Sequence, residues 1–175
     1  MSNRVSAIRD QKAVNDFGYR IYYSPDHCFH PWDLANYMFP EHALNDKYMA
    51  LYRTKKETEP LWVQVTDVAG GDYKAVVRSY SRSMCKRALF KALERNRYTQ
   101  TGKSSSDQTL CESLQGTIRI TVASPLKTVN CKESKLAAHL EEIVRTRIIP
   151  NIRQGSSNSR KGEPEPSTAI PGKRN

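Results

Sequence analysis

Three of the four histidines and one thiol crowd into Asp26-His27-Cys28-Phe29-His30 and nearby His42. Imidazole and thiolate are the ligands that zinc takes, and a Cys-His pair can also work as nucleophile and base. Cys28, His30 and His42 are the candidate ligands, but their spacing fits no common zinc site and a fourth ligand is unassigned. His27 with Asp26 or Asp33 as acid–base partner lacks an orienting third group and an oxyanion site. The plain reading is a loop of partly buried aromatic side chains, with no catalytic residue, no metal and no cofactor. Thr101-Gly102-Lys103-Ser104 ends like a phosphate-binding P-loop. That loop needs Gly where Arg97 stands, and a strand where a helix precedes. A loop rich in Ser and Thr is the reading left.

Charge is more informative. Among 175 residues, 28 Lys and Arg stand against 18 Asp and Glu, a formal net charge of +10. Arg82, Lys86, Arg87, Lys91, Arg95, Arg97 and Lys103 fall between Ser81 and Lys103, where Glu94 is the single acid. Arg153, Arg160, Lys161, Lys173 and Arg174 add to this in a polar tail. Such a surface neutralises phosphates and releases their counterions, so it binds nucleic acid in a salt-dependent, sequence-independent way. Arg78 and Arg119, on flanking strands, complete the candidate nucleic-acid contacts. The alternatives are a solvated basic helix, an acidic protein partner or an anionic membrane surface. The helix has no apolar-aromatic face beyond its own core stripe, which disfavours the membrane.

These side chains need elements to hold them. Tyr19–Tyr23 is rich in aromatic and β-branched residues and stops at Ser24-Pro25, as a short strand does. Residues 31–53 carry helical periodicity interrupted at Pro40. Leu61–Val68 alternates apolar and polar residues, then Gly70-Gly71 precedes Tyr73–Tyr80, so the two runs predict a β-hairpin. A helix capped by Ser81 or Ser83 follows, with Cys85, Ala88, Leu89, Ala92 and Leu93 as its apolar stripe. After a polar loop from Thr99 to about Gln115 come a strand at 116–123 and a helix through Leu136, Leu140, Ile143, Val144 and Ile148.

The order β-α-β-β-α-β predicts an α+β fold, the ferredoxin-like split βαβ arrangement, with an extra C-terminal helix. Residues 1–15 read as a polar leader, 16–152 as a single domain and 153–175 as a disordered basic tail. No run approaches the ~18 apolar residues of a membrane span, and Met1–Arg4 does not open a secretory leader. Cys28, Cys85, Cys111 and Cys131 are widely spaced without a Cys-x-x-Cys pair, the pattern of reduced thiols in the cytoplasm or nucleus. Tyr22, Tyr23, Trp62, Tyr73 and Tyr80 fall on predicted strands, where exposed rings stack on RNA bases and buried ones pack a core. The run Lys74–Tyr80 lacks the glycine and central aromatics of an RNA-recognition motif.

Val65-Thr66-Asp67-Val68, then Asp72–Arg78, then a helix through Ala88-Leu89 to Leu93 resembles the middle of the small α/β protein subunits of ribonuclease P and ribonuclease MRP. The strand Ile118–Ala123 running into Ser124-Pro125 and the early Tyr19–Tyr23 extend the likeness over about residues 17–127. The Thr99–Gln115 loop is longer than that family's, and a frequent Phe-Gly before Leu61 is missing. The resemblance implies a non-catalytic subunit of a ribonucleoprotein that cuts tRNA or rRNA precursors. It also implies structured RNA and a related α/β subunit as partners, in the nucleus or nucleolus. Arg78, Lys86 and Arg87 match only the family's general basic character. The other reading is a protein-interaction adaptor of a nuclear, chromosomal, telomeric or viral complex.

Overall fold

In the computed structural model, residues 6–37, 39–68, 73–105 and 113–150 are described. The chain runs through β1 (Ser6–Ile8), α1 (Gln11–Asp16), β2 (Tyr19–Ser24), α2 (Pro31–Asn36) and α3 (Asn45–Thr58). It continues with β3 (Leu61–Asp67), α4 (Ala75–Arg95), β4 (Gly116–Val122), α5 (Pro125–Asn130) and α6 (Glu133–Ile143), which a π-helical turn at Val144–Ile148 extends. One four-stranded sheet has the order β1-β2-β4-β3. β1 and β2 pair antiparallel, as do β2 and β4, but β3 and β4 are parallel.

Parallel neighbours cannot be joined by a tight turn, so a long connection must carry the chain back to the starting end of the sheet. α4 is that connection. The expected hairpin is therefore corrected: Ala75–Tyr80, read as a strand, forms the first turns of α4. The β-branched and aromatic residues of that run do not pack on a pleat. Val76 and Tyr80 are 78% and 51% exposed on the helix surface, and Ser81 is a buried helical position whose Oγ donates to Arg78 O. Tertiary pairing has overridden local β propensity. The Gly70-Gly71 turn itself lies outside the described residues.

The ferredoxin-like order is replaced by this mixed sheet, and its fourth strand comes from the expected leader. Asp10 caps α1 by accepting from Ala13 N at 2.9 Å, Ala13 is buried, and Ser6–Ile8 pairs with Ile21–Tyr23. A three-residue strand carries too little periodicity to be seen in sequence. The tail at 153–175 falls outside the described residues.

The alternation along the strands divides the sheet into two faces. Tyr19, Ile21, Tyr23, Leu61, Ile118, Ile120 and Val122 join a core with Met84, Cys85, Ala88, Leu89, Ala92 and Leu93 of α4 and Leu136, Ala137, Leu140 and Ile143 of α6. On the other face Trp62, Gln64, Thr117 and Arg119 meet the 25–30 loop and α3. Tyr52 packs its ring 5.2 Å from that of Trp62 and donates to Asp33 Oδ2 at 2.6 Å, tying α3 to α2. Gly116 opens β4 at a left-handed φ of 106°, and a Cβ there would run into Ser24 O.

Gly116→Ala should therefore lower stability by about 1–3 kcal/mol, the cost of a strained backbone before any steric shift is added. Urea unfolding measures it, and an unchanged midpoint would contradict this packing.

Candidate nucleic-acid interface

α4 buries one stripe, Ser81, Met84, Cys85, Ala88, Leu89, Ala92 and Leu93. Its six cations are left to the remaining surface, where Glu94 is the only acid. The sequence reading places Arg82, Lys86, Arg87, Lys91 and Arg95 mostly on one exposed helix face and Arg78 on a strand. The structure divides them into two rows.

One row faces α6. Arg87 Nη2 and Lys91 Nζ reach Glu133 at 3.2 and 2.5 Å, and Arg95 Nη1 reaches Glu141 at 3.0 Å. About two turns separate the partners on each helix, so α4 and α6 run in the same sense. Lys91 first, then Arg87, holds the Glu133 carboxyl below its ordinary value. These three cations remain about half exposed at the side chain, yet their charge is matched across the helix pair.

The second row, Arg78, Arg82 and Lys86, faces the free edge of β3. Asp67 lies 3.9 Å from both Arg78 and Arg82, and Lys86 sits 5.6 Å over the Phe90 ring. Between this row and β3 runs a groove of about 330 Å³, lined by Val63–Val65, His30, Ser79, Arg82, Ser83 and Lys86. Ser79, Arg82, Ser83 and Lys86 are spaced i, i+3, i+4, i+7, which is one helical face. Its lining contains two permanent cations, two hydroxyls and an imidazole, but no carboxylate. Ser79 is missed in sequence, Ser83 reads there as a helix cap, and His30 reads as a candidate zinc ligand rather than as part of a groove. Their common face exists only once residues 75–80 are helical.

Arg97 and Lys103 belong to neither row. Arg97 takes a left-handed φ of 64° just past α4 and donates its N–H to Glu94 O at 2.9 Å, so it terminates the helix. Lys103 is exposed in the following turn, where its N–H donates to Thr99 Oγ1.

Arg119 is a structural clamp. Its Nε donates to Gln64 Oε1 at 2.9 Å and its Nη2 to Phe29 O at 3.1 Å, while Gln64 Nε2 donates to Cys28 O at 2.7 Å. Burial lowers the Arg119 pKa. The clamp fixes the 26–30 loop on the sheet and so places His30 at the groove. Two of the guanidinium donors of Arg119, expected among the phosphate contacts, are thus directed at protein acceptors.

The Cys-His cluster is used by the fold in the same way. His30 Nδ1 accepts from Trp32 N at 3.3 Å and caps α2; His42 Nδ1 accepts from Leu44 N at 3.1 Å. His27 Nε2 lies 3.2 Å from Glu59 O, and its ring is edge-on to Trp62. Cys28 is buried, its N–H donating to Thr117 Oγ1. Among the described residues no three His, Cys, Asp or Glu side chains converge as a metal site. Of the strand aromatics, Tyr23 and Trp62 are buried, Tyr22 lies partly buried on the face opposite the helical core, and Tyr73 and Tyr80 are not on strands. No helix among the described residues is long and apolar enough to cross a membrane.

Three measurements test this geometry. Arg119→Met leaves Gln64 Oε1 and Phe29 O without a charged donor and should cost about 1.5–3 kcal/mol. Faster amide exchange at residues 26–30 should accompany that destabilisation; unaltered exchange would rule out the clamp. Arg97→Gly should raise stability by roughly 1 kcal/mol by relieving the left-handed residue, and a lowered unfolding midpoint would contradict that role. Burial also holds His27 and His30 below the ordinary histidine pKa. The unfolded chain then takes up their protons first as pH falls through about 6.5. Their contribution to stability is full above that value and should decline toward pH 5. A urea midpoint that rises on acidification would contradict it.

Searches of protein-family models, of curated proteins and of solved structures give no match to this chain.

Proposed function

We propose that the chain is a non-catalytic RNA-binding subunit of a ribonucleoprotein and holds the phosphate backbone along the groove between α4 and the β3 edge. The observation that carries this reading is the groove's lining, in which Arg82, Lys86, Ser79, Ser83 and His30 stand together without a carboxylate. Phosphate oxygens accept from guanidinium, ammonium and hydroxyl groups alike, and such contacts position RNA without reading its bases. The row toward α6 is secondary in this reading, because Glu133 and Glu141 already match Arg87, Lys91 and Arg95. Structured RNA in the nucleus, of the kind processed by ribonuclease P or MRP, is the partner class that the sequence resemblance suggests.

A protein partner in the same assembly has its own support. Trp32, Phe39 and Leu51, all on the α2–α3 excursion, are 64%, 55% and 59% exposed. Large apolar side chains left in water mark a docking area for protein.

Arg82→Glu with Lys86→Glu should weaken RNA binding nearly uniformly across sequences. The plot of log affinity against log salt should become shallower by roughly 0.7–0.9 for each phosphate that the variant no longer neutralises. Arg87→Glu with Lys91→Glu should change that slope less, since Glu133 holds both cations at 3.2 and 2.5 Å, whereas Asp67 stands 3.9 Å from Arg82 and is shared with Arg78. Equal RNA affinity and slope for the first variant and the parent would end the groove assignment. A larger weakening from the second pair would move the RNA to the α6 side.

A further inference from the structure

β3 ends the sheet in the order β1-β2-β4-β3, so only one of its edges is paired. The register fixes which groups face outward. Pro60 O accepts from Gly116 N at 2.9 Å and Val68 N donates to Val122 O at 3.1 Å, at the two ends of the β3–β4 ladder. Alternate residues of a strand bond to one neighbour. Trp62, Gln64 and Thr66 therefore bond to β4, while Val63, Val65 and Asp67 turn their N–H and C=O groups outward. Leu61 does the same, and its N–H donates to Thr101 O at 2.9 Å. Among the described residues no backbone group bonds to the outward groups of Val63, Val65 or Asp67. A row of free donors and acceptors is a template for another strand, and proteins usually blunt such an edge by shortness, Pro or Lys. β1, at the other edge, has three residues; β3 has seven, with neither Pro nor Lys.

The groove at β3 runs along this edge, with α4 as one wall and the 26–30 loop, at His30, as the other. α4 lies on the core face of the sheet and the loop on the opposite face. Side chains of an added strand therefore point alternately at the two walls. On α4, Arg82 and Lys86 stand four residues apart, about 6 Å along the helix. Side chains on one face of a strand repeat every two residues, about 6.6 Å. Two carboxylates at that spacing reach the guanidinium and the ammonium together, and Ser79 and Ser83 add hydroxyls to the same wall. Arg78 and Arg82 share Asp67 at 3.9 Å, and among the described residues Lys86 pairs with no acid. Surplus positive charge beside an unpaired strand edge selects an acidic strand.

We propose that β3 accepts an extended acidic segment of a partner protein as a fifth strand of the sheet. The segment's backbone pairs with Val63, Val65 and Asp67, and carboxylates at every second residue meet Arg82 and Lys86. Main-chain hydrogen bonds supply the grip in this mode, and the alternate side chains supply the choice of sequence. The segment needs the same two cations as the phosphate backbone, so it excludes RNA from the groove. That exclusion rests on the RNA reading; strand addition does not.

The test is a titration of the full isotope-labelled chain with a short capped peptide in which Thr and Glu alternate. The amides of Val63, Val65 and Asp67 should shift saturably, with a Kd below about 1 mM, and should exchange about tenfold more slowly when the peptide is bound. Gln64 and Thr66 already bond to β4, so their exchange should change little. Two further peptides carry N-methyl groups on either the Thr or the Glu nitrogens, at unchanged charge. One of the two should bind about tenfold more weakly, because only alternate N–H groups face β3. Replacing Glu by Gln in the peptide, or Arg82→Glu with Lys86→Glu in the protein, should each weaken binding by about tenfold. Slowed exchange at Val63 and Val65 in a chain that does not bind RNA keeps the strand site and ends only the exclusion. Unchanged amides at Val63 and Val65 under millimolar peptide, or full affinity for both N-methylated peptides, would overturn strand addition even where RNA binds the groove.

Discussion

The parallel pairing of β3 with β4 is the constraint on which the rest of the structure depends. Leu61 lies opposite Gly116 and Asp67 opposite Val122, so both strands start at the same end of the sheet. The chain between them must cross the sheet, and the 21-residue α4 makes that crossing. A crossover helix buries one stripe against the strands and leaves the rest of its circumference elsewhere. In α4 the stripe takes the small and apolar residues, and the cations have only the other sides to occupy. Arg78 and Ser79 join the helix surface as a consequence of strand direction, because in the expected hairpin they would have pointed to opposite faces of a sheet.

Much of this was legible, and the failures share a cause. Leu61–Asp67 and Gly116–Val122 alternate apolar and polar types in sequence because one face of each joins the helical core, although Trp62, Gln64 and Thr117 on the other face are buried too. The stripe from Cys85 to Leu93 has helical spacing that no strand would produce. Tyr73–Tyr80 misled because its valines and tyrosines carry β propensity, whereas their fate was set by a partner strand some 40 residues further on. A helical signal was present in Val77, Ser81, Met84, Cys85 and Ala88, but it required treating Ser81 as a core residue. α1 and β1 were hidden for another reason: Ala13 and Ile8 are their main apolar contributions, too few for a period. Arg119 shows the limit for the candidate site. An arginine among Ile118, Ile120 and Thr121 reads as a surface cation, and only the fold brings Gln64 Oε1 and Phe29 O to its guanidinium.

Charge counting met the same limit. Five of the cations between Ser81 and Lys103 looked like one basic face because acids that answer them are distant in sequence. Glu133 lies 46 residues beyond Arg87, and Glu141 lies 46 beyond Arg95. Once α6 packs beside α4, Glu133 and Glu141 match one row of cations, while in the other row Asp67 is shared by two of the three cations. What distinguishes the β3 groove is therefore the absence of carboxylates from its lining, together with hydroxyls at the right helical spacing. The Arg119–Gln64 clamp contributes by holding the 26–30 loop, and with it His30, against that groove.

The most direct measurement is an amide and side-chain resonance map of the full chain titrated with a short single-stranded RNA at low salt. If the β3 groove holds the phosphate backbone, the largest shifts fall on Ser79, Arg82, Ser83 and Lys86 and on Val63–Val65, with His30 responding. Shifts confined to Arg87, Lys91 and Arg95, or to the sheet face around Tyr22, would contradict it.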